Sequence, residues 1–187
     1  MSKLDRSWSG LSILIDDIEV TDADIKESSS AKTALYVVRR NAGENHDRRA
    51  KKGDYYLSDR EMDNIKKIAA SFEHAIIILN TCVMDANFIG EIEGIDAALL
   101  LGQAGMEAGN ALADILTGKS SPSGHLTDTY AVKNANSPAA QNFGDLQWTN
   151  ANPDIKMNDA IVEAENIYIG YKYYETRYFD TVMNQGN

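Results

Sequence analysis

The chain has 187 residues, 43% of them hydrophobic and 25% charged, with a net charge of −10. That length and balance fit one globular domain or a large piece of a bigger protein. The charge argues against nucleic acid and anionic membranes as partners, since both need clustered Lys and Arg. Cys82 is the only cysteine, which excludes an intrachain disulfide and a multi-cysteine zinc site. No apolar run approaches a membrane span, and the N-terminal Met-Ser-Lys-Leu-Asp-Arg-Ser-Trp lacks a signal-peptide hydrophobic region. The expectation is a cytoplasmic setting, unless a signal lies on a longer parent chain.

In chain order, Leu11 to Val20 begins as a strand or loop. Thr21 with Asp24 marks a helix start of the capping-box type, opening a short acidic helix to about Ser29. Ala34 to Val38 reads as a buried strand. Arg39 to Arg48 follows it, Arg-Arg-Asn-Ala-Gly-Glu-Asn-His-Asp-Arg. Polar residues just past the carboxyl end of a parallel strand lie where open α/β sheets place ligand chemistry. Glu44, flanked by Gly43 and Asn45, stands out as a carboxyl group on a sharp turn. The alternative, an ordinary solvated loop glutamate, stays open on these residues alone. His46 is close by in sequence, and an exposed histidine is its default reading.

Ser58 with Glu61 opens a second helix, whose buried face is Met62, Ile65, Ile68, Ala69 and Phe72. His74 to Leu79 is a continuous β-branched run, the signature of a parallel strand buried on both faces. Ala97 to Leu101 is a second such run, with a loop and short helix between them. Gly105 to Leu116 is the next helix, stopped by Gly118. Ser120 to Asp159 holds all three prolines and reads as a long surface excursion. Ile167 to Tyr174 is aromatic and alternating, which predicts a strand. Alternating strands and helices give an α/β fold with a mostly parallel sheet.

Three tempting motifs are weak. Gly102, Gly105 and Gly109 miss the dinucleotide spacing and are read as permitting close helix-to-sheet approach. Gly118-Lys119-Ser120 ends a helix where a phosphate-binding loop would start one. His46, His74 and His125 are not at metal-ligand spacing. No cofactor or metal is expected.

Taken together the strings resemble the C-terminal α/β sandwich domain of glycoside hydrolase family 3, the β-glucosidase-like enzymes. Arg39 to Arg48 is similar to the family's S-G-E-G-x-D-R loop, and Ile78-Leu79-Asn80 to its V-L-N strand end. Gly102 to Thr129 resembles G-Q-x-G-G-N-A-x-A-D-V-L-x-G-x-x-N-P-S-G-K-L-P-x-T. Ile167 to Glu175 resembles I-Y-V-G-Y-R-Y-Y-E. The chain departs at Asn45, where the family has glycine, at Ala108-Gly109, where it has a doubled glycine, and at Thr127, where it has proline.

The resemblance implies a flavodoxin-like (α/β)6-sandwich over residues 1–187, complete or incomplete, with helices on both faces of the sheet. It implies a retaining β-glycosidase acting on terminal β-D-glucosyl residues, whose acid/base is Glu44. It further implies that Arg39, Arg40, His46, Asp47 and Arg48 fix the loop or contact sugar. The family's nucleophile lies on an N-terminal barrel, and no S-D-W-like string for it occurs here. The expected partners are therefore a β-glucoside and the missing barrel domain, and the isolated chain is expected to be inactive. The other readings are a non-catalytic carbohydrate or small-ligand binding domain and a flavodoxin-like cofactor domain. The lack of a phosphate-binding loop argues against the last.

Overall fold

The structure, a computed structural model, describes residues 4–7, 10–13, 18–40, 48–133, 137–142, 146–147, 159–160 and 163–177. The chain divides into two units, Met1–Pro122 and Ser123–Asn187. Two short strands, β1 (Leu4–Ser7) and β2 (Gly10–Ile13), pair antiparallel at the start of the first unit. Helix α1 (Asp22–Glu27) follows, and Thr21 and Asp24 form the expected reciprocal cap. The Thr21 side chain accepts from the Asp24 amide, and the Asp24 carboxylate accepts from the Thr21 amide. Each contact satisfies a backbone N–H left open at the helix start.

Three parallel strands carry the first unit: β3 (Thr33–Arg39), β4 (His74–Asn80) and β5 (Ile95–Leu100), in the order β3-β4-β5. The register runs Val37↔Ile78↔Leu99 across the sheet. Helix α2 (Asp59–Ser71) makes the crossover from β3 to β4, and the short α3 (Phe88–Glu91) lies between β4 and β5. This is the α/β architecture with a parallel sheet that the alternating pattern predicts.

The core lies on one side of the sheet. Ile65, Ile68 and Ala69 of α2 pack with Val38, Ala75, Ile77 and Leu79 of the strands and with Met84, Phe88 and Ile92. Phe88, Ile65 and Ile77 are completely or almost completely enclosed. Ala75, Ile77, Ile78 and Leu79 make β4 the buried central strand that its unbroken apolar run implies. The flanking strands differ from expectation. On β3 only Val38 is buried, and Leu35 and Val37, which project to the face away from α2, are 48% and 43% exposed. On β5 no residue is buried. Among the described strands both lie at the sheet edge, and an apolar run there buries only the face that a helix covers.

Asn64 is a polar member of the α2 core face. Its side chain accepts from the Val20 amide (2.8 Å) and donates to the Ile18 carbonyl (2.7 Å) and the Tyr36 hydroxyl (3.2 Å). The segment before α1 is thereby pinned to the helix. Gly94 turns the chain into β5 at φ 91°, where an added Cβ would lie 2.7 Å from the Ala69 carbonyl oxygen. Only glycine fits that crossing.

Helix α4 (Ala108–Leu116) begins three residues later than read and is closed by Gly118 at φ 74°. The close-approach reading of the neighbouring glycines does not hold. An added Cβ at Gly102, Gly105 or Gly109 would meet no atom within 4 Å. Gly102 and Gly105 are needed for their backbone instead, at φ 65° and 75°, in the turn that leads from β5 to the helix.

The second unit contains helix α5 (Pro138–Asn142), the short antiparallel pair β6 (Leu146–Gln147) and β7 (Asp159–Ala160), and helix α6 (Tyr171–Thr176). The strand read over Ile167 to Tyr174 is instead a run of turns followed by α6. Gly170 takes φ 58° with Asp128 Oδ1 only 3.0 Å from where its Cβ would stand, which ends any extended run. Period-2 and helical patterns are not separable over so short an aromatic stretch.

Candidate functional site

The carboxyl ends of β3, β4 and β5 are joined to one another at the point where the chain enters the segment that the sequence marks. The Arg40 amide donates to the Asn80 carbonyl (3.2 Å), and the Leu101 and Gly102 amides donate to the Leu79 carbonyl (2.9 and 3.2 Å). The Cys82 thiol donates to Gln103 Oε1 (3.4 Å), linking the loops after β4 and β5.

Arg40 is the hub. Its Nη1 and Nη2 donate to the two carboxylate oxygens of Glu61 at 2.6 and 2.8 Å. Nε donates to the Asp54 carbonyl (2.7 Å), Nη1 also to the Arg39 carbonyl (2.7 Å), and Nη2 also to the Tyr56 carbonyl (3.3 Å). A guanidinium has five N–H groups, and these contacts engage all of them. Both side chains of the Arg40–Glu61 pair are only 6% exposed. A bidentate charge-assisted pair this enclosed has little water to compete with it.

Asp54 extends the network. Its Oδ1 accepts from Arg48 Nη1 (3.2 Å) and its Oδ2 from the Arg49 amide (3.1 Å). Burial raises the Asp54 carboxyl, but the Arg49 amide and the Arg48 guanidinium together hold it below the usual range. Gly53 at φ 78° and the Gly53 amide to Tyr56 carbonyl bond (2.9 Å) close the tight turn that presents Asp54. The Asp85 amide donates to the Tyr55 carbonyl (2.8 Å), joining this turn to the loop after β4. One connected set of contacts therefore runs from the start of α2 through Arg40 and Asp54 to Arg48.

Of the residues read as functional, Arg39, Arg40 and Arg48 lie at this edge. Glu44, His46 and Asp47 lie outside the described residues. Arg39 ends β3 and is exposed. The guanidinium of Arg40, read as fixing the loop or contacting sugar, is engaged by Glu61 and by the carbonyls of Arg39, Asp54 and Tyr56. Arg48 is paired with Asp54 and has only one fifth of its side chain exposed. His74 opens β4, with Nδ1 3.5 Å from Asp96 Oδ2. His125 lies in irregular backbone of the second unit.

Sequence reasoning missed the partners. Glu61 was legible as a capping residue, and it does accept from the Ser58 amide (2.8 Å). Its second role had a signal: it stands four residues before Ile65, on the same apolar stripe as Ile68. A carboxylate on a buried stripe requires a cation.

Asp85 is the counter-case to Asp54. Burial raises its carboxyl above the usual range, with Asn87 hydrogen bonds opposing and the Glu91 charge adding. The folded state therefore holds this proton more tightly than the unfolded chain. Its contribution to stability is present at low pH and is lost as pH rises from about 4, the ordinary range of the group, through the raised value. Asp85→Asn keeps the oxygen that accepts from Asn87 Nδ2 (2.7 Å) and removes the charge. The expected result is a higher Tm than wild type at pH 7 and a difference that vanishes below about pH 4. A difference independent of pH would contradict this assignment.

Among the described residues no cluster of three His, Cys, Asp or Glu side chains is arranged to hold a metal, and no helix is long and apolar enough to cross a membrane.

Comparison with known proteins agrees with this architecture. Residues 5–175 match the Glycosyl hydrolase family 3 C-terminal domain. A β-glucosidase of Ruminococcus albus is 32% identical over 171 residues, 90% of this chain but 17% of that protein. β-Glucosidase A of Butyrivibrio fibrisolvens is 33% identical over 125 residues, 66% of this chain and 14% of its own length. Among solved structures, a β-glucosidase of Paenibacillus barengoltzii superposes with a TM-score of 0.73 at 29% identity, covering 84% of this chain and 16% of that one. β-Glucosidase 3B of Thermotoga neapolitana, solved in complex with glucose, gives 0.68 at 34% identity, over 84% of this chain and 21% of its own. The chain thus spans about one sixth of the curated relatives it matches. It belongs to the glycosyl hydrolase family 3 C-terminal domain family.

Proposed function

We propose that this chain is the acid/base-contributing domain of a retaining β-glucosidase-like enzyme acting on terminal β-D-glucosyl residues of oligosaccharides or aryl glucosides. Family membership and the β-glucosidase relatives support the reaction class. The observation that carries the assignment to this segment is the Arg40 fork onto Glu61 and Asp54, beside the Asp54 grip on Arg48. It fastens the chain on both sides of residues 41–47 at the carboxyl edge of a parallel sheet.

In the proposed mechanism Glu44 protonates the leaving glycosidic oxygen and then, as the carboxylate, activates water. The nucleophile comes from a barrel domain and stands about 5–5.5 Å from Glu44, as retention requires. Arg40 and Arg48 already face carboxylates, so their charges pull less on the Glu44 proton than two unpaired arginines would. Exposed Arg39, with His46 and Asp47, is left for the sugar hydroxyls.

The test is release of nitrophenol from aryl β-glycosides by the purified, cooperatively melting chain. No release is expected from the chain alone. Turnover by the chain alone that disappears in Glu44→Ala would place a nucleophile within these 187 residues and overturn the two-domain account.

A further inference from the structure

We propose that Glu61 is a positioning residue for the acid/base segment, acting through Arg40; this rests on the functional reading given above. One carboxylate oxygen bonding the N-cap amide completes the capping box, and a glutamine does that as well as a glutamate. Here Glu61 Oε2 accepts from the Ser58 amide, yet both oxygens also take the Arg40 guanidinium. The second use is chemically separate from the first and needs the negative charge.

Glu61 is also held still. It sits on the first turn of the 13-residue α2, on the stripe of Ile65 and Ile68, whose side chains are buried in the core. Its carboxylate therefore presents a fixed fork to Arg40, the residue at which β3 gives way to positions 41–47. Arg40 in turn holds the carbonyls of Asp54 and Tyr56, and the Asp54 carboxylate holds Arg48. Both flanks of the segment are thus referred to one rigid helix start. A site placed to within fractions of an ångström needs such outer support, because small displacements of an acid/base group cost large factors in rate.

The experiment compares Glu61→Gln with Ser58→Ala in the chain. Glu61→Gln retains the cap on the Ser58 amide and loses the charged fork; Ser58→Ala loses the hydroxyl half of the cap and retains the fork. Amide exchange is followed at Arg40 and Tyr56, together with the side-chain carboxyl carbon signal of Glu44. Glu61→Gln is expected to accelerate those amides tenfold or more and to displace or broaden the Glu44 signal. Ser58→Ala is expected to leave all three near wild type while lowering Tm. Equal changes in both variants would show a merely structural role and overturn the proposal, as would an unchanged Glu44 signal in Glu61→Gln. Should Glu61→Gln not fold, Arg40→Lys tests the same link, since lysine keeps the charge and lacks the fork; the same pattern supports the proposal and its absence overturns it. These readouts need no turnover. A Glu44→Gln variant of full activity in a barrel-bearing enzyme would remove the acid/base assignment while leaving the effect of Glu61→Gln on the Arg40 and Tyr56 amides intact.

Discussion

Arg40→Ala is expected to destabilise the chain by about 3–5 kcal/mol, the cost of leaving one member of a buried ion pair without its partner. The variant strands the Glu61 carboxylate, whose side chain is 6% exposed, and also removes a donor from each of the Asp54 and Tyr56 carbonyls. Against a typical total of about 5–15 kcal/mol, that is a large share. Urea denaturation monitored by circular dichroism measures it, with the midpoint falling and the slope unchanged. A loss below about 1 kcal/mol would mean that the pair is screened as a surface pair is. The companion variant, Arg40→Met with Glu61→Leu, separates stability from placement. Replacing a buried pair by apolar side chains of similar size is often neutral or stabilising. The double variant is therefore expected to regain much of the lost stability without regaining the links from residue 40 to Asp54 and Tyr56.

Much of the scaffold was legible because local rules and packing agree there. The Thr21–Asp24 and Ser58–Glu61 pairs start helices where a side chain three residues on can return the hydrogen bond. The unbroken run at Ala75 to Leu79 is buried because β4 is central. The same rule overreached at β5, where an equally apolar run lies at the edge and is largely exposed. Apolar composition records what a surface prefers, and the partners it meets decide what is covered. Gly102 and Gly105 were rightly singled out but for the wrong reason, since spacing cannot distinguish a glycine chosen for room from one chosen for positive φ. Arg39 and Arg40 stand at the carboxyl end of β3, and Arg48 is joined to them through Asp54. Sequence alone did not attach Asp54 and Glu61 to them, because those contacts bridge 6 and 21 positions of sequence and form only when the turn at Gly53 and the start of α2 meet.

Glu44→Gln is expected to lower kcat for aryl β-glucosides by about 10²–10⁴-fold in an enzyme that joins this chain to a family 3 barrel domain, the range ascribed to a positioned acid/base. Glutamine matches the size of glutamate but can neither deliver the proton nor accept one from water. The loss should depend on the leaving group. An activated nitrophenol departs with little protonation, so its glycosylation step suffers less than that of an alkyl glucoside. The second step has no such relief, because water still needs a base, and an added anion such as azide should restore turnover by attacking without one. In the pH profile of kcat/KM, the limb that falls as the acid loses its proton should flatten in the variant. Equal losses for all leaving groups, with no response to azide, would remove Glu44 from the acid/base role. Its neighbour Asp47 would then be the carboxyl group in the segment to test next.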